Sequence, residues 1–595
     1  MFKQKLETEY KERLALLMNA ERVARKKSRL YLYGKLLFFF AAVVMAYYGY
    51  VHQCEMEYVV AFVFFAFYVL VLVVDDKCVA KITRLRAFQK VYKDELAALN
   101  DDYGAFDDGA IYVDPQHEYA YDLDIFGEHS LFQRLNRTVT AIGRERLAEK
   151  FQHLPADRHA VLAYQEAIGE LSEMTDWRLR FLSHPFVENS GSALTDVVRN
   201  EKYGRFILSS FLPYLFVFVT LSVLMLAIFS VVPWSMFFMM FTVQIGITLA
   251  VGRLLSKVDS QTQNLHKEFQ GYLSLLEDLE TAEFKSSLLS SLKIDLFQKQ
   301  SSVQALRQLS LILNLFNQRT NELMAIFLNG MFLYDIFLIR YFARWKSKYL
   351  SEVPRWLKDI AEFDSLVSLG DYAFNHPQNA VAEVLEEGSN IIVEAKGVYH
   401  PFLRYNKAVP NDFTLLKSNV SIVTGANMAG KSTFLRTLGV SFVMASNGIP
   451  VCAKGFRFSL VSLFSSMRTA DDLSKDISYF NAELLRLQQL VKYVKQQPYT
   501  FIILDEILKG TNSRDKLKGS VMFLEAISKC RVCVMVATHD LELSKLEDKY
   551  PETYRNYCFE IDLAAKVNYS YKIQRGVAHN LNASFLLSNI LKEIG

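Results

Sequence analysis

The chain has 595 residues, 51% of them hydrophobic, with 67 Lys and Arg against 64 Asp and Glu and a formal net charge of +3 at pH 7. That length calls for several domains rather than one compact core. Near-balanced charge excludes a global field that recruits nucleic acid, so any basic binding surface has to be local, and DNA is neither supported nor excluded by composition.

The hydrophobic excess is concentrated in blocks, and the blocks set the compartment. Residues 1–29 are polar and helix-forming, and the apolar run begins too late for a cleavable signal peptide. Two apolar stretches follow, about Leu30 to Val51 and about Tyr58 to Val74, separated by HQCEMEY. Each has the length that crosses about 30 Å of hydrocarbon as a helix, roughly 17–25 residues. A second pair, about Phe206 to Val232 and Ser235 to Val251, is broken at Val232-Pro233-Trp234, where proline starts a helix and tryptophan suits an interface. The pattern predicts two hairpins, four transmembrane helices in all. Arg25, Lys26, Lys27, Arg29 and Lys35 precede the first span, Lys77 to Arg86 follow the second and Arg253 and Lys257 follow the fourth, whereas the hairpin tips lack Lys and Arg. The positive-inside rule then places both termini in the cytoplasm of a multi-pass cell (inner) membrane protein. A fifth apolar stretch, Met324 to Ala343, is interrupted by Asn329, Asp335 and Arg340 and is predicted as a buried soluble helix.

The six cysteines give no disulfide framework. Cys530 and Cys533 form a lone Cys-x-x-Cys with no second pair at zinc-finger spacing, so they read as small core residues entering a strand, and no structural metal is expected.

The chemistry is concentrated in the last third. Asn419 to Gly439, NVSIVTGANMAGKSTFLRTLG, is a β-branched run, a glycine-containing turn and a helix-forming stretch, the context that a phosphate-binding loop needs. Gly425 and Gly430 let backbone N–H groups close around phosphate oxygens, Lys431 neutralises the β and γ charge, and the Ser432 hydroxyl is placed to ligate Mg²⁺. The implied cofactors are ATP and Mg²⁺. Tyr499 to Lys516, YTFIILDEILKGTNSRDK, is an apolar strand ending in two carboxylates: Asp505 to hold Mg²⁺, directly or through water, and Glu506 to orient or activate the attacking water. Val532 to Asp540, VCVMVATHD, is another buried strand, ending in His539, which suits a γ-phosphate sensor acting through water. Alone, a strand-end histidine would read as a loop residue.

Together these segments resemble the ATPase domain of the MutS family, in the ABC-like branch of P-loop ATPases. The family loop T-G-x-N-M-x-G-K-S-T is matched from Thr424 to Thr433, including Asn427 and Met428, which generic P-loops do not share. Asp471 to Leu484, DDLSKDISYFNAEL, is similar to the family's segment ending in S-T-F-x-x-E, with Ser478, Phe480 and Glu483 in the matching places. The resemblance implies that Ser478 acts in trans on the ATP of a facing subunit, hence a homodimer with composite ATP sites. It also implies that Ala408 to Phe413, with Val409, packs on the adenine, and it relates Gly397 to Leu403 to the family's G-R-H-P. Upstream, Phe126 to Pro155 is similar to the opening of the family's core domain and Ile360 to Ala373 to its link into the ATPase.

The pattern breaks in places. The first hundred or so residues leave no room for a mismatch-recognition domain, and Phe126-Gly127-Glu128, which spells that domain's wedge tripeptide, falls in the core-domain opening. Leu508 replaces a glycine of the family's D-E-I-G-R-G-T, Ala429 stands where glycine is usual, and the C-terminal dimer contact is expected to be shortened or missing.

The predicted fold class is multidomain: transmembrane α-helical hairpins, an all-α core and lever region, and a C-terminal α/β P-loop ATPase domain of ABC-like type. Expected boundaries are an N-terminal helix over 1–29, hairpin one over 30–75, a linker helix over 76–115, the first core part over 116–205, hairpin two over 206–251, core and lever helices over 252–385 and the ATPase domain over 386–595. The predicted function is a membrane-anchored ATPase coupled to binding or processing of mismatched, branched or incoming DNA. A DNA-independent mechanical or signalling ATPase acting on membrane partners is the alternative. An ABC-type transporter fits less well, because four spans and DLSKDISYF replace six spans and L-S-G-G-Q.

Overall fold

The structure is a computed structural model, described here for residues 2–186, 211–298, 301–317, 322–403, 407–468, 479–563 and 567–579. Two long helices open it, α1 (Phe2–His52) and α2 (Glu55–Leu99), packed against each other along their length. Each runs without a break from polar into apolar sequence, because Leu, Ala, Lys and Glu sustain a helix in either setting. The turn between them uses Gln53 at φ +52°, and Glu55 and Glu57 sit in the first turn of α2.

A helical body follows: α3 (Leu131–Leu135), α4 (Ala141–Gln152), α5 (Arg158–Glu173), α6 (Thr175–Leu182), α7 (Leu212–Ile228), α8 (Trp234–Thr281), α9 (Ser287–Phe297), α10 (Ser302–Asn317), α11 (Glu322–Phe332), α12 (Tyr334–Tyr349) and α13 (Val353–Asn375). The axis of this body is α13, buried almost continuously from Asp359 to Tyr372. Two of its buried acids are held by bonds to other elements, whereas the buried Asp359 Oδ2 has no hydrogen-bond partner among the described residues and burial raises its pKa to about 6. Asp364 accepts from the backbone N–H of Val139 and Thr140 at 3.0 and 2.8 Å, and Asp371 pairs with the fully buried Arg178 at 2.9 Å. Buried charge is tolerated at Asp364 and Asp371 because each is hydrogen-bonded. The opening hairpin joins the same axis: Tyr10 donates to Asn375 at 2.9 Å, and Glu95 pairs with Arg137. Phe126 belongs to this core, packed on Phe132 at 5.4 Å between ring centres.

The helices correct two expectations. Among the described residues two helices, α1 and α2, are long and apolar enough to cross a membrane, not four. The second pair consists of shorter apolar helices, Leu212–Ile228 and Trp234–Ala250 at the start of α8. Residues 206–210 of the expected span lie outside the described residues. Met324 to Ala343 is not one buried helix either. It is divided between α11 and α12, which meet at an 80° bend. Leu333 takes φ +49° there, and Asn329 and Asp335 bond each other across the break, at 2.9 Å (N–H of Asp335 to Asn329) and 3.0 Å (amide of Asn329 to Asp335). On α11, Leu323, Met324, Ile326 and Phe327 are exposed, whereas Ile339, Phe342 and Trp345 of α12 are buried.

Two sheets complete the chain. The smaller has the order β1-β5-β2-β3, from β1 (Glu383–Val384), β2 (Ile391–Val398), β3 (Asn411–Leu416) and β5 (Gly455–Phe458). The larger has the order β10-β9-β4-β8-β7-β6, from β4 (Val420–Gly425), β6 (Ser462–Ser466), β7 (Thr500–Asp505), β8 (Val532–Thr538), β9 (Tyr554–Leu563) and β10 (Val567–Arg575). All its pairings are parallel except β9 with β10. Helices α14 (Lys431–Ser446), α15 (Tyr479–Gln496), α16 (Ser513–Ile527) and α17 (Lys545–Lys549) pack around it. Strands β4, β7 and β8 are buried along nearly their whole length because both faces are covered. Phe501, Ile503, Cys533, Met535 and Ala537 face a core continuous with the helical body, whereas Ile502, Leu504, Val534 and Val536 face a second cluster. Cys533 is therefore a core residue, and Cys530 lies exposed just before the strand.

Candidate functional site at the ends of the central strands

Parallel register brings the ends of three strands level. Thr424 of β4 lies opposite Thr538 of β8, and Asp505 of β7 lies opposite Ala537. In an open α/β sheet the carboxyl ends of the strands are where ligands bind. From Gly425 the chain turns through Ala426 to Gly430 into the N-terminus of α14, whose unpaired N–H groups point back into the turn.

Three residues of the turn take positive φ: Gly425 at +152°, Met428 at +67° and Gly430 at +108°. Glycine is required twice for space as well. A Cβ on Gly425 would stand 2.9 Å from the Phe559 carbonyl, and one on Gly430 would stand 3.2 Å from the Tyr571 ring. Ala429 is buried in the turn. Beside it opens a cavity of about 480 Å³, lined by Asn427, Met428, Gly430, Lys431, Ser432, Thr433, Val409 and His539. These are predicted site residues drawn from three separate segments.

Lys431 is the electrostatic centre. Its ammonium donates to the carbonyls of Gly425 at 2.8 Å and Ala426 at 3.0 Å and lies 3.4 Å from His539 Nδ1. Burial pushes its pKa down to about 8, against the opposing pull of Asp505 and Glu506. His539 Nδ1 lies 3.1 Å from the Gly425 carbonyl and its Nε2 lies 3.5 Å from Glu506 Oε1. Burial first, then Lys431, lowers the histidine pKa, so the ring is neutral at pH 7. A neutral ring donates from one nitrogen only, either Nδ1–H to the Gly425 carbonyl or Nε2–H toward the Glu506 carboxylate.

Glu506 follows β7 at φ +58°, its N–H bonded to the Ala537 carbonyl at 2.9 Å, with Lys516 and Lys509 at 3.7 and 4.0 Å from its carboxylate. Leu508, where the resembled family has glycine, is buried and takes φ +60°. Asp505 and Glu506 reach the site beneath the cavity rather than in its lining. Ser478 lies outside the described residues.

The cavity has further walls, of which sequence reading missed Phe559 and Tyr571. Tyr399, His400, Asn411, Phe559 and Tyr571 line it. Asn411 ties β3 to β10, donating to the Tyr571 carbonyl at 3.0 Å and accepting from the Ile573 N–H at 2.9 Å. Tyr571 takes φ +53° at a register shift between β9 and β10. No local pattern marks it; strand pairing alone delivers it to the turn. Tyr399 and His400 belong to Gly397–Leu403 and Asn411 to Ala408–Phe413, stretches that the resemblance singles out; burial, with Arg436 and Arg134 nearby, lowers the His400 pKa to about 4.

A doubly covered parallel sheet, a glycine turn running into a helix N-terminus, and a lysine, histidine and carboxylate pair gathered there define an α/β domain built to hold an anionic ligand at its strand ends. The comparisons agree in place. Residues 421–585 match the family model of MutS domain V. The C-terminal part is similar to the DNA mismatch repair protein MutS of Acetivibrio thermocellus, 29% identical over 243 residues, which is 39% of this chain and 27% of the relative. The MutS of Caldicellulosiruptor saccharolyticus is 31% identical over 245 residues, 40% of this chain and 28% of the relative, and that of Lysinibacillus sphaericus 28% identical over 241 residues, 39% and 27%. The chain thus spans about a quarter of the length of the curated relatives it matches, and the matches support the MutS family for its C-terminal two-fifths.

Proposed function

We propose that the protein is a membrane-anchored ATPase of the MutS family that binds and hydrolyses ATP at a dimer interface and couples the cycle to DNA. The observation that carries this reading is the convergence of Lys431, His539 and Glu506 on the glycine turn, with His539 3.5 Å from Glu506 and 3.4 Å from Lys431. The glycines and the α14 N-terminus suit a phosphate chain, and Lys431, held by two carbonyls with His539 beside it, gains a better partner when an anion arrives. Val409 and Tyr571 wall the part of the cavity where a base would lie. Ser432 and Asp505 are the residues that would hold Mg²⁺, which supplies charge neutralisation of the phosphates when bound. Glu506 orients the attacking water, and neutral His539 fixes that water from its other side. Ser478 of a facing protomer completes the composite site.

Membrane anchoring rests on α1 and α2, whose apolar segments carry exposed Phe40, Val44, Phe62 and Leu70. The apolar hairpin of α7 and α8 is a further membrane contact in this reading, with the termini and the ATPase domain cytoplasmic. Because α13 runs from the helical body to the smaller sheet and is bonded to Tyr10 of α1, closure of the ATPase dimer has a packed path to the membrane helices.

The test is steady-state ATPase activity of the full chain in nanodiscs, with and without homoduplex, mismatched and branched DNA across a salt series, with Glu506→Gln as control. Stimulation by one DNA form that weakens as salt rises supports DNA coupling. Glu506-dependent turnover indifferent to every DNA refutes it and favours the DNA-independent membrane ATPase.

A further inference from the structure

We infer that Glu483 is a positioning residue for Glu506, fixing from α15 the loop that carries this carboxylate and so tying movement of α15 to hydrolysis. The inference rests on the reading of Glu506 as the hydrolytic carboxylate.

Glu483 lies in the second turn of α15 and is buried, 5% exposed. Its two oxygens each accept a backbone N–H from the loop after β7, Lys509 at 3.0 Å and Gly510 at 3.1 Å. Among the described residues it makes no ion pair. A carboxylate taken out of water is sustained by such bonds or not at all. What it holds is a loop that does not rest by itself: Glu506 and Leu508 take φ +58° and +60°, a region that side chains other than glycine occupy when their surroundings enforce it. The upstream end is fastened by the Glu506 N–H on the Ala537 carbonyl, and the downstream end by Glu483. Between them, Leu508 is wedged against Gly519, where a Cβ would fall 2.5 Å from the leucine Cδ1.

The contact with α15 is backbone to backbone. A Cβ on Gly510 would stand 3.0 Å from Phe480 Cα and 3.1 Å from Phe480 N, so the loop packs closely against the first turn of α15. Two N–H donors facing one group call for an acceptor without hydrogens. Glutamine in the same place presents one oxygen and one NH₂, and the NH₂ opposes an N–H. Helix α15 begins at Tyr479, next in sequence to the residue that the resemblance assigns to the facing protomer's ATP. A displacement of this helix start on dimer closure passes through Glu483 and Gly510 to Glu506, a bonded route from one site to its neighbour.

The experiment uses the full chain in nanodiscs and compares Glu483→Gln, Glu483→Asp, Glu506→Gln and the double variant in kcat, KM, binding of a non-hydrolysable ATP analogue and thermal midpoint. For Glu483→Gln the expected result is a fall in kcat of about tenfold or more with KM and analogue binding within about twofold, because nucleotide contacts survive and only the water-orienting carboxylate is misplaced. Glu483→Asp recovers part of kcat, and the double variant is no slower than Glu506→Gln alone, since both changes act through one group. Unchanged kcat in Glu483→Gln alongside an inactive Glu506→Gln overturns the inference and spares the reading of the site. Loss of analogue binding together with a lowered thermal midpoint assigns Glu483 a structural role and overturns it too. Wild-type turnover in Glu506→Gln overturns the reading of the site and the inference with it.

Discussion

On the proposed reading of the site, Lys431 makes nucleotide affinity depend on pH, with a sign that follows from its burial. In the free site its pKa falls from 10.5 to about 8, because burial disfavours the charge and only carbonyls and two more distant carboxylates compensate. A bound polyphosphate brings negative charge to the ammonium and restores the pKa toward the ordinary lysine value of about 10.4. Below about pH 8 the lysine is protonated free and bound, and affinity is flat. Above it the free site loses its proton, binding has to take one up, and Kd rises by about tenfold per pH unit until the bound-state pKa is reached. Full reversal of the shift from 10.5 to about 8 couples on the order of 3 kcal/mol, or a few hundredfold in Kd. The ligand-free fold moves oppositely: a lysine with a lowered folded pKa disfavours the native state at low pH, and stability rises as pH goes from about 8 toward 10.5. The assay is calorimetric titration with a non-hydrolysable ATP analogue and Mg²⁺ from about pH 7 to 9.5, in buffers of different ionisation enthalpy, which counts proton uptake approaching one per site. Lys431→Arg stays charged throughout and flattens the profile. A flat wild-type curve, or an arginine variant that keeps the slope, refutes the reasoning.

Two further outcomes test packing and compartment. Gly143→Ala in α4 gains about 1 kcal/mol of helix propensity on paper, but its Cβ would fall 2.1 Å from Asp364 Oδ2, the oxygen that accepts from Thr140 N and Oγ1. Displacing that carboxylate reverses the sign, to a net loss of about 2–4 kcal/mol, read as a lower thermal midpoint and faster amide exchange at Thr140; a midpoint at or above wild type sinks the argument. Phe62→Lys places a charge on the exposed apolar face of α2, where Phe62 is 71% exposed. At the centre of a bilayer a lysine costs about 2.5–3.5 kcal/mol, so less of the variant should withstand alkaline carbonate extraction, and Glu12→Lys, on the polar part of α1, serves as control. Equal retention of Phe62→Lys and wild type contradicts membrane insertion of α2.

The candidate site was legible where its residues are contiguous. Gly425 to Thr433 announces a strand, a tight turn and a helix start, since only glycine fits where Phe559 and Tyr571 press on the turn. Asp505, Glu506 and His539 were legible as the polar ends of apolar runs, and parallel register brings such ends level. The helices were harder. Apolar length marked α1 and α2, but the bend falls at Leu333 rather than at the nearby Gly330, and it depends on Asn329 and Asp335 finding each other. The second pair was overestimated because apolar sequence runs on to Val232, past Ile228 where the first helix ends.

Residue type and spacing by themselves therefore determined the glycine turn, the lysine within it, the carboxylates and histidine at strand ends, and the long apolar helices, because each depends on interactions within a few residues of chain. Tertiary structure alone decided the rest. Tyr571 reaches the cavity through pairing of β9 with β10 and its tie to Asn411, 160 positions away. The depressed Lys431 pKa arises from burial among segments distant in sequence. Glu483 matters through two amides 26 and 27 residues further on. Hydrogen bonding and desolvation act across space, and a linear pattern encodes them only once the sheet has assembled.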